Sequence, residues 1–241
     1  MFSTPNQFIA FLKSFLSLES LYLHNITFGI HGHTTPFTLS PLLRAVDLAI
    51  NHWDPSTIPW FLSTVQFPPL EHLGIFYIEN DTMDVVQDVL QSLGPSLHDL
   101  YLRFVGPGVF ISCWCSNPTF NRDSGDGDLL DLTHNVNLRH LRVEGLDGDI
   151  LLDNLSRIAF FDLETISFSV NYGAVEMVKW DQIAQVLTQD QFVKLQKVYL
   201  DVICLFGSAD HDCSGPRWVD HIRQRMPILG DVLDVSVCHF E

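Results

Sequence analysis

A short pattern, Leu-x-x-Leu-x-Leu, returns along the whole chain and constrains its folding more than any other feature. It reads at Leu18-Leu21-Leu23, Leu70-Leu73-Ile75, Leu97-Leu100-Leu102, Leu138-Leu141-Val143, Leu163-Ile166-Phe168 and Leu195-Val198-Leu200. Weaker copies sit at Leu43-Val46-Leu48 and, out of phase, at Leu229-Leu233-Val235. Numbered by the second apolar position, the copies fall at Leu21, Val46, Leu73, Leu100, Leu141, Ile166, Val198 and Leu233, in steps of 25, 27, 27, 41, 25, 32 and 35 residues. The longer steps read as one repeat with an insertion. The largest insertion lies near 106–135, where Gly106-Pro107-Gly108 and the run Asn121 to Asp128 mark a loop.

Each copy is a short strand, because its apolar residues alternate with others. Helices are expected between the strands. Thr4-Pro5 opens one, with Phe8, Phe11, Leu12, Phe15 and Leu16 facing inward. Asp81 caps another, with Val85, Val86, Val89, Leu90 and Leu93 as its buried stripe and Gly94-Pro95 as its stop. Further helices are expected near Pro59 to Val65, Val175 to Leu187 and Arg217 to Met226. A strand and a helix repeated at this period make an α/β leucine-rich-repeat solenoid. The expected form is a curved horseshoe, with parallel strands on the concave face and helices on the convex face. It forms a single domain over 1–241 with about eight irregular repeats.

Bulk composition narrows the function. Apolar residues make up 46% and charged residues 17%, an ordinary folded composition. A formal charge of −16 with only 13 Lys and Arg argues against nucleic acid and against anionic membrane surfaces. No apolar run approaches the roughly 20 residues a spanning helix needs. The five cysteines, 113, 115, 204, 213 and 238, form no regular disulfide framework. The apolar start, Met1 to Leu18, has no basic head, is interrupted by Lys13 and precedes no small-x-small site. An intracellular protein is expected, cytoplasmic or nuclear and in a reducing compartment.

Catalytic and metal chemistry finds little support. His31-Gly32-His33, Cys113-Trp114-Cys115, and Cys204 with His211 and Cys213 lack structural-zinc spacing. Cys204 and Cys238 follow strands and read as small buried apolar groups. Counting from Asp123, the twelfth position of a calcium loop is His134 rather than Glu. No phosphate-binding loop, dinucleotide fingerprint or nucleophile elbow appears. No enzyme, no metal and no cofactor are expected. The alternative of an enzyme without a recognisable motif stays open.

Alternation places the residues between the leucines on the opposite side of the strands. There Tyr22, His24, His72, Phe76, Tyr101, Arg103, His140, Arg142 and Tyr199 are the candidate protein-binding residues of the concave face. The four aromatics are expected without core duty, and Arg103 and Arg142 as isolated cations in an acidic protein. Aromatics and Arg dominate binding hot spots. β-Propensity and cross-strand packing favour the same residue types without any partner.

Several phrases resemble the repeats of F-box leucine-rich-repeat proteins, in the divergent style of large fungal families. They are Phe67-Pro68-Pro69-Leu70-Glu71-His72-Leu73, Leu93-Gly94-Pro95-Ser96-Leu97-His98-Asp99-Leu100-Tyr101-Leu102 and Val136-Asn137-Leu138-Arg139-His140-Leu141-Arg142-Val143. The segment Met226 to Val237 resembles the family's terminal strand. The resemblance implies a protein-protein interaction module, the substrate-recognition part of a ubiquitin-ligase receptor. The F-box that docks the cullin adaptor is not found here, so no direct adaptor binding is expected from this chain. The alternative is a scaffolding repeat protein with no ligase link. The protein partner or substrate is not named by these residues.

Overall fold

A computed structural model describes residues 4–24, 36–49, 57–78, 82–104, 130–145, 148–158, 162–171, 175–205 and 215–240. The expected stretches His31-Gly32-His33, Cys113-Trp114-Cys115, His211, Cys213, the Asp81 cap and most of the 106–135 insertion lie outside them.

The strands are β1 (Ser20–His24), β2 (Phe37–Thr38), β3 (Ala45–Ala49), β4 (Val65–Gln66), β5 (His72–Ile78), β6 (Asp99–Phe104), β7 (His140–Glu144), β8 (Thr165–Asn171), β9 (Lys197–Leu205) and β10 (Leu233–Phe240). The helices are α1 (Pro5–Lys13), α2 (Thr57–Thr64), α3 (Met83–Leu93), α4 (Gly148–Arg157), α5 (Trp180–Leu187) and α6 (Gly215–Arg225). Eight strands form one open parallel sheet in the order β1-β3-β5-β6-β7-β8-β9-β10, with β2 and β4 paired separately. Its strands range from five residues in β1, β3 and β7 to nine in β9.

The apolar pattern becomes two unbroken ladders across this sheet. Leu21, Val46, Leu73, Leu100, Leu141, Ile166, Val198 and Leu233 are consecutive register partners. So are Leu23, Leu48, Ile75, Leu102, Val143, Phe168, Leu200 and Val235. All sixteen are buried in one core with residues of the helices, among them Phe8, Phe61, Val86, Leu155, Ile183 and Ile222. The out-of-phase copy is absorbed before β10, where Gly230 at φ 48° breaks a 3₁₀ segment over Pro227–Val232.

The strand starts repeat in detail. One carbonyl accepts the first two amides arriving from the next strand. Glu19, Arg44, Glu71, His98, Arg139 and Glu164 each do this in turn. A one-residue slip anywhere would turn the whole apolar set outward, so the register is strongly specified.

Helix ends follow local chemistry. Thr4 caps α1 by accepting from the Gln7 amide at 3.3 Å, and Pro5 needs no partner there. α3 stops at Gly94, whose φ of 49° suits a residue without Cβ. Buried Asn135 donates to the Leu90 and Gly94 carbonyls at 2.9 and 3.0 Å, satisfying that helix end from the segment before β7.

Some expectations need correction. In and after α1, Phe8, Ile9 and Leu12 face inward, whereas Phe11, Phe15 and Leu16 are exposed. Phe11 instead meets Phe15 edge-on, beyond the stripe that one short helix can bury. The Val175 stretch is a turn, and α5 begins at Trp180, whose indole donates to the Val175 carbonyl at 2.8 Å. Cys204 and Cys238 lie inside β9 and β10, and Cys238 is half-buried. α4 and the β2–β4 pair were not expected from the sequence. Among the described residues, no helix is long and apolar enough to cross a membrane.

Candidate functional site

The second face of the sheet carries three further rows. The first runs Ser20, Ala45, His72, Asp99, His140, Thr165, Lys197. The middle row runs Tyr22, Asp47, Gly74, Tyr101, Arg142, Ser167, Tyr199, Asp234. The last runs His24, Ala49, Phe76, Arg103, Glu144, Ser169, Asp201, Ser236. Most of these side chains are exposed or half-buried, and every residue of the expected binding set lies on this face.

At the centre the side chains interlock. Phe76 meets Tyr101 edge-on, with ring centroids 4.4 Å apart. The Arg142 guanidinium lies 4.7 Å over the Tyr101 ring, within cation–π reach. The same guanidinium reaches one oxygen of Glu144 through Nη2 at 2.6 Å and Nε at 2.8 Å. Arg103 Nε stands 3.6 Å from the other oxygen. Glu144 is only 7% exposed although its strand position faces outward. A buried carboxylate is costly unless paired, and here two cations and the Tyr101 hydroxyl meet it. Burial first, then the Glu144 carboxylate it donates to, pushes the Tyr101 phenol well above its usual range. The Tyr101 hydroxyl is the donor in this pair.

This geometry corrects two expectations. Arg103 and Arg142 are not isolated cations, because both engage Glu144. Phe76 and Tyr101 are not bare aromatics, because they half-bury each other. Alternation also places Glu144 on this face, but the expected binding set leaves it out. Its spacing two residues after Arg142 puts both on one face of a strand, which was the available signal.

A second group depends on Gly74. A Cβ there would stand 1.9 Å from Asp47 Oδ1 and 3.2 Å from the Phe76 ring. The missing side chain lets the Asp47 carboxylate lie over the strand and meet His72 Nε2 at 3.0 Å. That hydrogen bond raises the His72 pKa above its usual 6.5, against the opposing effect of burial, with the Asp47 and Asp99 charges adding. His140 stands 3.8 Å from Asp99 farther along the first row.

The remaining candidates are apart from these groups. Tyr22 and His24 are exposed on the edge strand β1, with Tyr22 at 63%. Tyr199, 40% exposed, sits two strands beyond Arg142, between Ser167 and Asp234 in register. Asp201 accepts from the Ser236 hydroxyl at 2.5 Å and stands 4.0 Å from Arg142. Among the described residues, no group of three or more His, Cys, Asp or Glu side chains could hold a metal ion. The arrangement offers aromatic surface, fixed donors and fixed carboxylates. Comparison with known protein families, characterised proteins and solved structures finds no match.

Proposed function

We propose that this chain is a leucine-rich-repeat binding module, holding a protein partner on the second face of its sheet. The observation that carries the reading is the asymmetry of the sheet. Parallel sheets are ordinarily covered on both faces. Here the helices share a core with one face, while the other displays exposed and half-buried aromatic and charged side chains. Strands in chain order, ladders in unbroken register and the repeated hydrogen bonds at strand starts support a repeat architecture. In that architecture the sheet lines the concave side of a horseshoe and the helices its convex side. The module binds rather than catalyses. The residue phrases shared with F-box repeats support a place as the substrate-holding part of a ubiquitin-ligase receptor.

A photo-reactive residue tests the binding face. Placed in cells at position 22, 101 or 199, it should capture one partner. Placed at Gln185, on the exposed side of α5, it should not. Capture only from position 185 would move the site to the helices. The purified partner should then bind the Tyr101→Ala and Arg142→Ala variants more weakly, by roughly 1–3 kcal/mol. Co-purification of the full gene product with a cullin adaptor tests the ligase assignment. This chain alone should not bind the adaptor, and micromolar affinity would overturn that expectation.

A further inference from the structure

We infer that the β8–β10 part of this face takes a basic side chain, Lys or Arg, from an extended segment of the partner. The inference rests on the binding-face reading and specifies its chemistry. Tyr199 is exposed, and two carboxylates are its neighbours on this face. Asp234 is its register partner on β10, and Asp201 lies two residues along the same face of β9. A cation over that ring gains the attraction of its π-face and meets both carboxylates as charge-assisted acceptors.

Among the described residues, Asp201 has one ion-pair contact, a long one, and Asp234 is farther from the cations of this face. Arg142 gives its short contacts to Glu144 and stays 4.0 Å from Asp201. Lys197 donates to the Asp231 carbonyl at 3.1 Å. Asp234 makes no ion pair with any described residue. Ser236 fixes Asp201, so little ordering is lost when a ligand arrives.

Ser169 is the second, independent indication. It lies between Glu144 and Asp201 in register and is 4% exposed, and its hydroxyl has no hydrogen-bond partner among the described residues. Buried hydroxyls are rarely left unsatisfied, and one beside a fixed carboxylate is an acceptor for an arriving N–H group. The net charge of −16 adds long-range attraction for a basic segment.

The test is selection from a phage-displayed peptide library on the intact immobilised protein. Enriched peptides should share an Arg or Lys. Changing that residue to Gln in the resynthesised peptide should weaken binding at least tenfold. Asp201→Asn and Asp234→Lys should each do the same, and added salt should weaken binding. Asp234 is exposed, so its variant keeps the test valid if Asp201→Asn disturbs folding, as thermal melts would reveal. Enriched peptides without a basic residue, yet lost on Tyr101→Ala, would overturn this inference and leave the binding face standing. Peptides insensitive to Tyr101, Tyr199, Asp201 and Asp234, or no enrichment at all, would overturn both.

Discussion

Leu100 and Tyr101 are neighbours in β6, and they face opposite sides of the sheet. Leu100 continues a ladder whose members differ only in apolar shape. Tyr101 stands in a row where a carboxylate, a glycine, a phenol and a guanidinium follow one another. The core side repeats because every strand must fit the same neighbours. The other side varies because each position answers to local partners. Uniformity therefore reports architecture, and departure from it marks the candidate site.

The sharpest way to break this comparison is at the uniform side. Leu100→Ala should cost about 2–5 kcal/mol, since it opens a cavity inside an unbroken ladder. Denaturant unfolding measures it, and a loss below about 1 kcal/mol would mean the ladder is not a packed core. Next comes the buried carboxylate of the varied side. Glu144→Gln removes the charge facing Arg103 and Arg142 and should cost about 1–3 kcal/mol. No change in stability would show that the central cluster is only superficial. Gly74→Ala is expected to cost about 1 kcal/mol, because Asp47 must swing away from the new methyl group. It should also return the His72 pKa, followed by NMR, toward 6.5.

A smaller effect depends on pH. The folded His72 pKa is raised above its unfolded value, so its contribution is complete below about pH 6.5 and is lost as pH rises through the folded pKa. The pair is partly exposed, so the loss should be only about 0.5 kcal/mol. Unfolding at pH 5.5 and 8 should show it, and Asp47→Asn should abolish the difference. A stability rising over that interval in step with His72 deprotonation would reverse the assignment. Smallest of all, Tyr22→Ala on the edge strand β1 should stay within about 0.5 kcal/mol of the wild type.

The ladder was legible in the sequence because period-two alternation fixes which residues share a face. The eight repeat positions read from spacing alone are the eight register partners at Leu21 through Leu233. α3 was legible too, with Val86, Val89, Leu90 and Leu93 buried as its stripe requires and Val85 only half-buried. α4 was not, because Ile150, Leu151 and Leu152 in succession blur a stripe that Leu151 and Leu155 carry. The site was legible by face and not by contact. Alternation put Arg142 outward, but its length lets it fold back onto Glu144, and spacing says nothing of that. The role of Gly74 was likewise hidden, because it lies in what a neighbouring strand places over an absent side chain.

The unequal strands give the molecule a hard end and a soft end. β1 is held by five register pairs on one side, whereas β9 is flanked by seven with β8 and eight with β10. Since every strand pairs only with its immediate neighbours, opening can begin at β1 and advance while the rest stays closed. Deuterium should then enter the amides of β1 and β3 first and those of β9 last. A basic segment held by Tyr199 and Asp201 would rest on that slowest-exchanging strand.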